Sequence, residues 1–364
     1  MEGFMKDRIF IIVISFFVVL GILITLKPKL SPQLPENNPY DNFTPPPIVP
    51  EQPKPVTPNI SVSTPSFLQY NGIIEQLKTW NKEAPELTKI DVYGQTAKKK
   101  DLYYIEISNF KSNSIKPKVL ITACIHGNEP HATSTVMAYI GNMLANYGKD
   151  EKITKLIDER DIYFIPVVSP DSYPNSRQVD GVDPNRDFDN LRSPSIRAIQ
   201  KFFNKEKFNA AWSGHTWGRV FLMPWGDSME KCPDDASYRE IAGEMASLAN
   251  YRLIRACEMY NAAGLNNPPI RYGSKEWNPN KAMSPIYGAE LDWYYRNGAF
   301  AVVCEYGTHQ QKPSDAETKS EFERTFKAFL CFVEKAPIVD LKIKIDRKSE
   351  RQKAILEIND YVNE

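Results

Sequence analysis

Hydrophobic and polar positions divide the chain into stretches with three different rhythms. From Ile9 to Leu26 the run IFIIVISFFVVLGILITL carries no charge and no polar face, so a transmembrane helix is expected there. Its eighteen residues would rise about 27 Å, close to the thickness of a bilayer's hydrocarbon. From Pro28 to Pro65 the periodicity vanishes, and 12 of the chain's 28 prolines gather, among them Pro45-Pro46-Pro47. Such a segment buries too little surface to fold and favours extended polyproline conformations. It reads as a tether, with a reach of up to about 120 Å at ~3.1 Å per residue.

After Ser66 helical and strand patterns alternate. Helical spacing runs over Phe67–Glu83, with Leu68, Ile73, Ile74, Leu77 and Trp80 on one side. Ile90–Tyr93 and Leu102–Ile107 alternate around the Gly94–Lys100 turn and predict a hairpin. Lys118–Cys124, Ile162–Val168 and Ala299–Glu305 have the apolar character of buried strands, with two more near Phe208–Ser213 and Arg219–Met223. Helices are expected near Ala132–Tyr147, Ser193–Phe203, Tyr238–Asn250, Asp292–Arg296 and Lys319–Lys335. This alternation indicates an α/β fold, its parallel or mixed sheet covered on both faces. Beyond Pro337 a strand-like VDLKIKI precedes a charged helical stretch.

The expected organisation is therefore a stub (1–8), a membrane signal anchor (9–26), a linker (27–66), a catalytic domain (67–337) and an extension of unread purpose (338–364). Lys6 and Arg8 precede the anchor and Lys27 and Lys29 follow it. An amino end inside, with the catalytic domain translocated out of the cytoplasm, is the expectation. A cleaved signal peptide is the alternative, but LKPKLSPQ offers no small-x-small cleavage site.

Composition adds two exclusions. Lys plus Arg equals Asp plus Glu at 45 each, so no net charge draws the chain to nucleic acid. Five cysteines without a CxxC pair do not read as a disulfide framework, and buried thiols are expected at Cys124, Cys304 and Cys331, which sit in apolar segments.

Four motifs carry chemistry. His126-Gly127-Asn128-Glu129 follows the strand at Lys118–Cys124, where open α/β sheets build their sites. Two His and one Glu form a ligand set of catalytic zinc, so His126 and Glu129 need a second imidazole. His215, in Ser213-Gly214-His215-Thr216, directly follows another apolar strand; His131 and His309 are spare imidazoles ranked below it. Arg177 and Asp183-Pro184-Asn185-Arg186 put two guanidiniums and an amide on one loop, a receptor for carboxylate and carbonyl oxygen, or else a neutralised polar surface. Glu305 ends an apolar strand, where a desolvated carboxylate beside a zinc-activated water is placed to take a proton.

Together these motifs resemble, in order and over about Phe67–Ala336, the zinc metallocarboxypeptidase family of the M14 type. The resemblance implies a three-layer sandwich with a mixed eight-stranded sheet and one Zn2+ on His126, Glu129 and His215. It implies that Asp183 orients His126, that Arg177 polarises the scissile carbonyl, and that Asn185-Arg186 grip a substrate's terminal carboxylate. Glu305 would be the general base, and the substrate a peptide with a free C-terminal carboxylate. In Gly288–Trp293 (GAELDW), Leu291 would form the floor of the pocket for the terminal side chain, unless Glu290 turns into it. Tyr287 is the tyrosine available to cap the substrate. Where the family has N-P-D-G, this chain has Ser169-Pro170-Asp171-Ser172. HGNEP also resembles related zinc deacylases that cleave N-acyl amino acids, one rival reading. A membrane-tethered binding module that has lost catalysis is the other.

Overall fold

The computed structural model describes residues 67–261, 270–272, 274–278, 280–309 and 312–343. The anchor and linker expected over 9–66 lie outside the described residues, as does the charged stretch of the tail from 344 onward. Among the described residues no helix is long and apolar enough to cross a membrane.

Ten strands are described: β1 Thr88–Gln95, β2 Asp101–Ile107, β3 Lys118–Ala123, β4 Asp161–Ile165, β5 Ala210–Thr216, β6 Val220–Met223, β7 Arg252–Arg255, β8 Tyr260–Asn261, β9 Ile270–Arg271 and β10 Phe300–Tyr306. The helices are α1 Tyr70–Glu83, α2 Pro130–Asn146, α3 Glu151–Glu159, α4 Pro194–Glu206, α5 Asp235–Ala249, α6 Glu290–Arg296 and α7 Asp315–Lys335. Eight strands form one sheet in the order β1-β2-β4-β3-β5-β10-β6-β7; β8 and β9 pair separately. The centre, β4-β3-β5-β10, is parallel, while the β1-β2, β2-β4 and β10-β6 pairs are antiparallel. The sheet is mixed and eight-stranded, as expected.

Every residue of β5, β6 and β10 is buried, which requires cover on both faces of the sheet. On one face, Trp212 of β5 packs edge-on against Phe329 and Phe332 of α7, and its Nε1–H donates to Tyr306 Oη of β10 at 2.9 Å. Strand side chains alternate, so His215 and Glu305 belong to the face opposite Trp212 and Tyr306. On the outer side of the sheet, Phe202 of α4 meets Tyr93, Tyr104 and Tyr163.

Local chemistry explains where several elements begin. Pro130 and Pro194 occupy first-turn positions, where a missing N–H costs nothing. Asp150 caps α3 by accepting from Ile153 N at 2.9 Å. Ser314 and Glu317 close a capping box at α7, which therefore starts four residues before the expected Lys319.

Four expectations need correction. β4 stops at Ile165, because Pro166 cannot continue the ladder, so the strand over Ile162–Val168 is shorter than its apolar run. β5 extends to Thr216, which puts His215 inside the strand and not after it. α3 lies outside the expected elements; Ile153, Leu156 and Ile157 give it one short apolar face. The described part of VDLKIKI is no strand: Leu341 and Ile343 are buried, and the amides of Lys342 and Ile343 donate to Asp234. The five cysteines are free and buried, among them Cys124, Cys304 and Cys331, where burial was expected.

Candidate active site

The chain leaves β3 for α2, returns in β4 on one side of β3, and then crosses over to β5 on the other. The crossover direction therefore reverses between β3 and β5, which is where open α/β sheets leave a crevice at their carboxyl ends. In register, Ala123 of β3 faces Gly214 of β5, and Glu305 of β10 faces His215. His126 follows β3 by three residues. Segments far apart in sequence thus reach one sheet edge.

Gly127 lets the first turn close. A Cβ on it would lie 2.4 Å from the backbone carbon of Ser172, so the His126 loop packs directly on the Ser169–Ser172 turn. His126 Nδ1 lies 3.0 Å from Glu129 Oε1, and His215 Nδ1 lies 3.0 Å from Glu129 Oε2. The three side chains are buried, and one donor atom from each falls within 4.8 Å of the others. The outer ring nitrogens are also engaged, His126 Nε2 with Asp183 Oδ1 at 3.1 Å and His215 Nε2 with Glu290 Oε1 at 2.7 Å. Carboxylate oxygens accept, so they place the ring proton on Nε2 and turn each Nδ1 lone pair toward Glu129.

Three acceptors converging in a buried space call for positive charge between them. Burial alone would discourage a charged His215, yet Glu129 and Glu290 outweigh it and hold the imidazole's pKa well above its usual value. Burial likewise works to raise Glu129, and His126 and His215 overcome it, keeping the carboxyl below its ordinary range. A divalent cation satisfies all three donors at once, and two His plus one carboxylate is a set that zinc takes. The triad fits the ion.

Arg177 Nε and Nη2 donate to Asp183 Oδ2 at 3.0 and 2.8 Å, leaving Nη1 3.4 Å from His126 Nδ1. Burial works to raise Asp183, but the bond to His126 and the charge of Arg177 hold it well below the usual range. Asn185 Oδ1 accepts from Glu290 N at 2.9 Å, and Arg186 Nη1 donates to Asn185 O at 2.7 Å. Gly288 makes that junction possible: its φ is +65°, and a Cβ there would meet Arg186 O at 2.6 Å.

One cavity of about 190 Å³ collects these groups. His126, Glu129, His215, Arg177, Asn185, Arg186 and Glu305 line it, and so does Leu291, only 3% exposed. Asp183 stands behind His126. Tyr287 is 64% exposed and is not among the lining residues, whereas Tyr260 is. Glu290 is fully buried against His215 and does not turn into the pocket. His131 is separate, in a second cavity with His309 and Glu317.

Two groups at the site make contacts that the sequence did not lead us to expect. Glu290 as the outer partner of His215 carried no signal beyond its place in GAELDW. Arg271 of β9 donates from Nη2 to Glu305 Oε2 at 2.7 Å, and its guanidinium lies 4.7 Å from the centre of the Trp217 ring. No periodicity surrounds Arg271, and only the fold brings it to Glu305.

Comparison with known proteins follows the same lines. Residues 73–328 match the family model of the M14 peptidases, described as zinc carboxypeptidase. Carboxypeptidase SOL1 of Arabidopsis thaliana is 24% identical over 290 residues, covering 74% of this chain and 56% of its own. Carboxypeptidase A4 of Mus musculus is 24% identical over 266 residues, covering 62% and 59%. This chain thus spans somewhat over half the length of these relatives. The crystal structure of thrombin activatable fibrinolysis inhibitor superposes with a TM-score of 0.64 at 16% identity, covering 74% of each chain, which shows a shared fold. From the family match across most of its folded residues, the chain belongs to the zinc carboxypeptidase family, the M14 peptidases.

Proposed function

We propose that the protein is an exopeptidase that hydrolyses the C-terminal amide bond of peptides. One observation carries this reading: the His126–Glu129–His215 triad, Glu305 and the Asn185–Arg186 pair line a single cavity. Zinc bound by the triad would supply a Lewis acid and bring the pKa of water toward about 7. Glu305 accepts the proton of the attacking water and returns it to the leaving amine. Asp183 occupies two donors of Arg177, and the remaining Nη1 points to the metal pole, where it donates to the carbonyl oxygen as charge develops there.

Asn185 spends its side-chain oxygen on Glu290 N, which keeps its NH2 for the substrate's terminal carboxylate. Among the described residues Arg186 has no carboxylate within ion-pair distance, so that substrate group can supply its counter-charge.

The pocket beyond is apolar at Leu222, Met259, Ile286 and Leu291. Asp292 also lines it, but its oxygens accept from Gly226 N and Asp227 N at 2.9–3.0 Å. Burial lifts its pKa to about 7 against those bonds. Terminal Lys or Arg finds no free carboxylate there and is disfavoured relative to apolar residues.

The test is Glu305→Gln, which keeps size and removes the base. Zinc content should persist while kcat on a C-terminal peptide panel falls at least ~100-fold. Near-wild-type turnover would reduce Glu305 to a structural residue.

A further inference from the structure

The cavity holds more guanidinium than the tasks proposed above use. Arg177 is neutralised by Asp183, and Arg186 is assigned to the terminal carboxylate. Arg271 is the third, with a side chain 16% exposed. It is committed only in part: Nη2 reaches one oxygen of Glu305, and the ring of Trp217 supports its face. Its Nε–H is buried with no hydrogen-bond acceptor among the described residues.

A buried donor without an acceptor is costly, and a guanidinium offers a fork shaped for a carboxylate. The cavity's own anions do not fill that fork. Glu129 is engaged by two imidazoles, and Asp292 by backbone amides of the Gly226 loop. Glu305, for its part, must be released to handle a proton. The same cavity has apolar lining residues, among them Met259, Ile286 and Val303, which suit methylene groups leading to a charged end.

We infer that Arg271 is a specificity residue that binds a second anionic group of the substrate, the side-chain carboxylate of an acidic C-terminal residue. This rests on the exopeptidase reading. The main-chain carboxylate goes to Asn185 and Arg186; the side-chain carboxylate takes Arg271 and draws it off Glu305, so an acidic substrate frees the base as it binds.

Peptides identical except for terminal Glu or terminal Gln test this, since the two side chains differ in charge and hardly in size. The zinc-loaded wild type should show kcat/KM at least ~10-fold higher on Glu, as expected for a charge-assisted hydrogen bond. Arg271→Gln should bring the Glu/Gln ratio close to one, and Arg271→Lys should retain part of it. Equal zinc content and melting temperature across the variants check that each is folded. A wild-type ratio of one or below, or a ratio that Arg271→Gln leaves unchanged, overturns the inference while the exopeptidase reading stands. Absence of turnover on every C-terminal peptide by zinc-loaded protein overturns that reading instead.

Discussion

The metal pole and the specificity wall occupy one cavity but are built by different means. At the metal pole, His126 follows β3 closely, and His215 and Glu305 stand opposite each other on β5 and β10. Hydrogen-bonded ladders fix those backbones, and the aromatic layer of Trp212, Tyr306 and Phe329 backs them. Across the cavity, Met259, Tyr260, Arg271 and Ile286 come from the chain between β7 and α6, whose described residues are held by the short β8-β9 pair, the Asn261–Met283 bridge and single backbone bonds such as Ile286 N to Gly226 O. On the proposed reading chemistry sits on the sheet and selection on the loop, so substitutions in the two regions should separate in what they change.

The largest expected effect lies at the metal pole. His215→Ala removes one of three ligands and should abolish both zinc retention and peptide turnover, measured by metal analysis and a peptide assay. A His215→Ala protein with a full complement of zinc would show that the ligand set is drawn wrongly.

Glu290→Gln sharpens the comparison, because Glu290 touches the metal pole from α6 without lining the cavity. The amide can still accept from His215 Nε2 but lacks the charge. Zinc affinity, read by competition with a chelator, should fall roughly 10- to 100-fold. The ranking of peptides by terminal residue should not change. A shift in ranking at unaltered affinity would place Glu290 with the specificity wall.

The smallest effect concerns the pocket floor. Leu291→Asp adds a carboxylate to an apolar surface and should raise the Lys/Phe ratio of kcat/KM by about 10-fold with little change in zinc affinity. An unmoved ratio would take Leu291 out of the floor.

The same division explains what could be read from the sequence. His126, Glu129, His215 and Glu305 were legible because each ends or closely follows an apolar run, and a polar residue there marks a strand's carboxyl end. Even so, the boundary of β5 fell short: Gly214, His215 and Thr216 look like a loop, yet Gly214 pairs with both β3 and β10, and His215 and Thr216 continue the strand by pairing with β10. Arg271 and Tyr260 lie in a segment without periodicity, so nothing local assigns them to the cavity. Tyr287 stood beside the expected motif, but Gly288, at positive φ, turns the chain where Arg186 packs, and Tyr287 is left exposed. The partnership of Glu290 with His215 arises only from the contact of α6 with β5.

Three consecutive residues of α6 serve three masters: Glu290 reaches His215, Leu291 lines the cavity, and Asp292 holds the Gly226 loop. A helix advances about 100° per residue, so adding or deleting one residue here would rotate all three away from their partners together. Evolution of new selectivity at this position is therefore confined to exchanging side chains, and changes of length must be absorbed elsewhere. Among relatives of this chain, the spacing from Gly288 to Asp292 should accordingly be held constant.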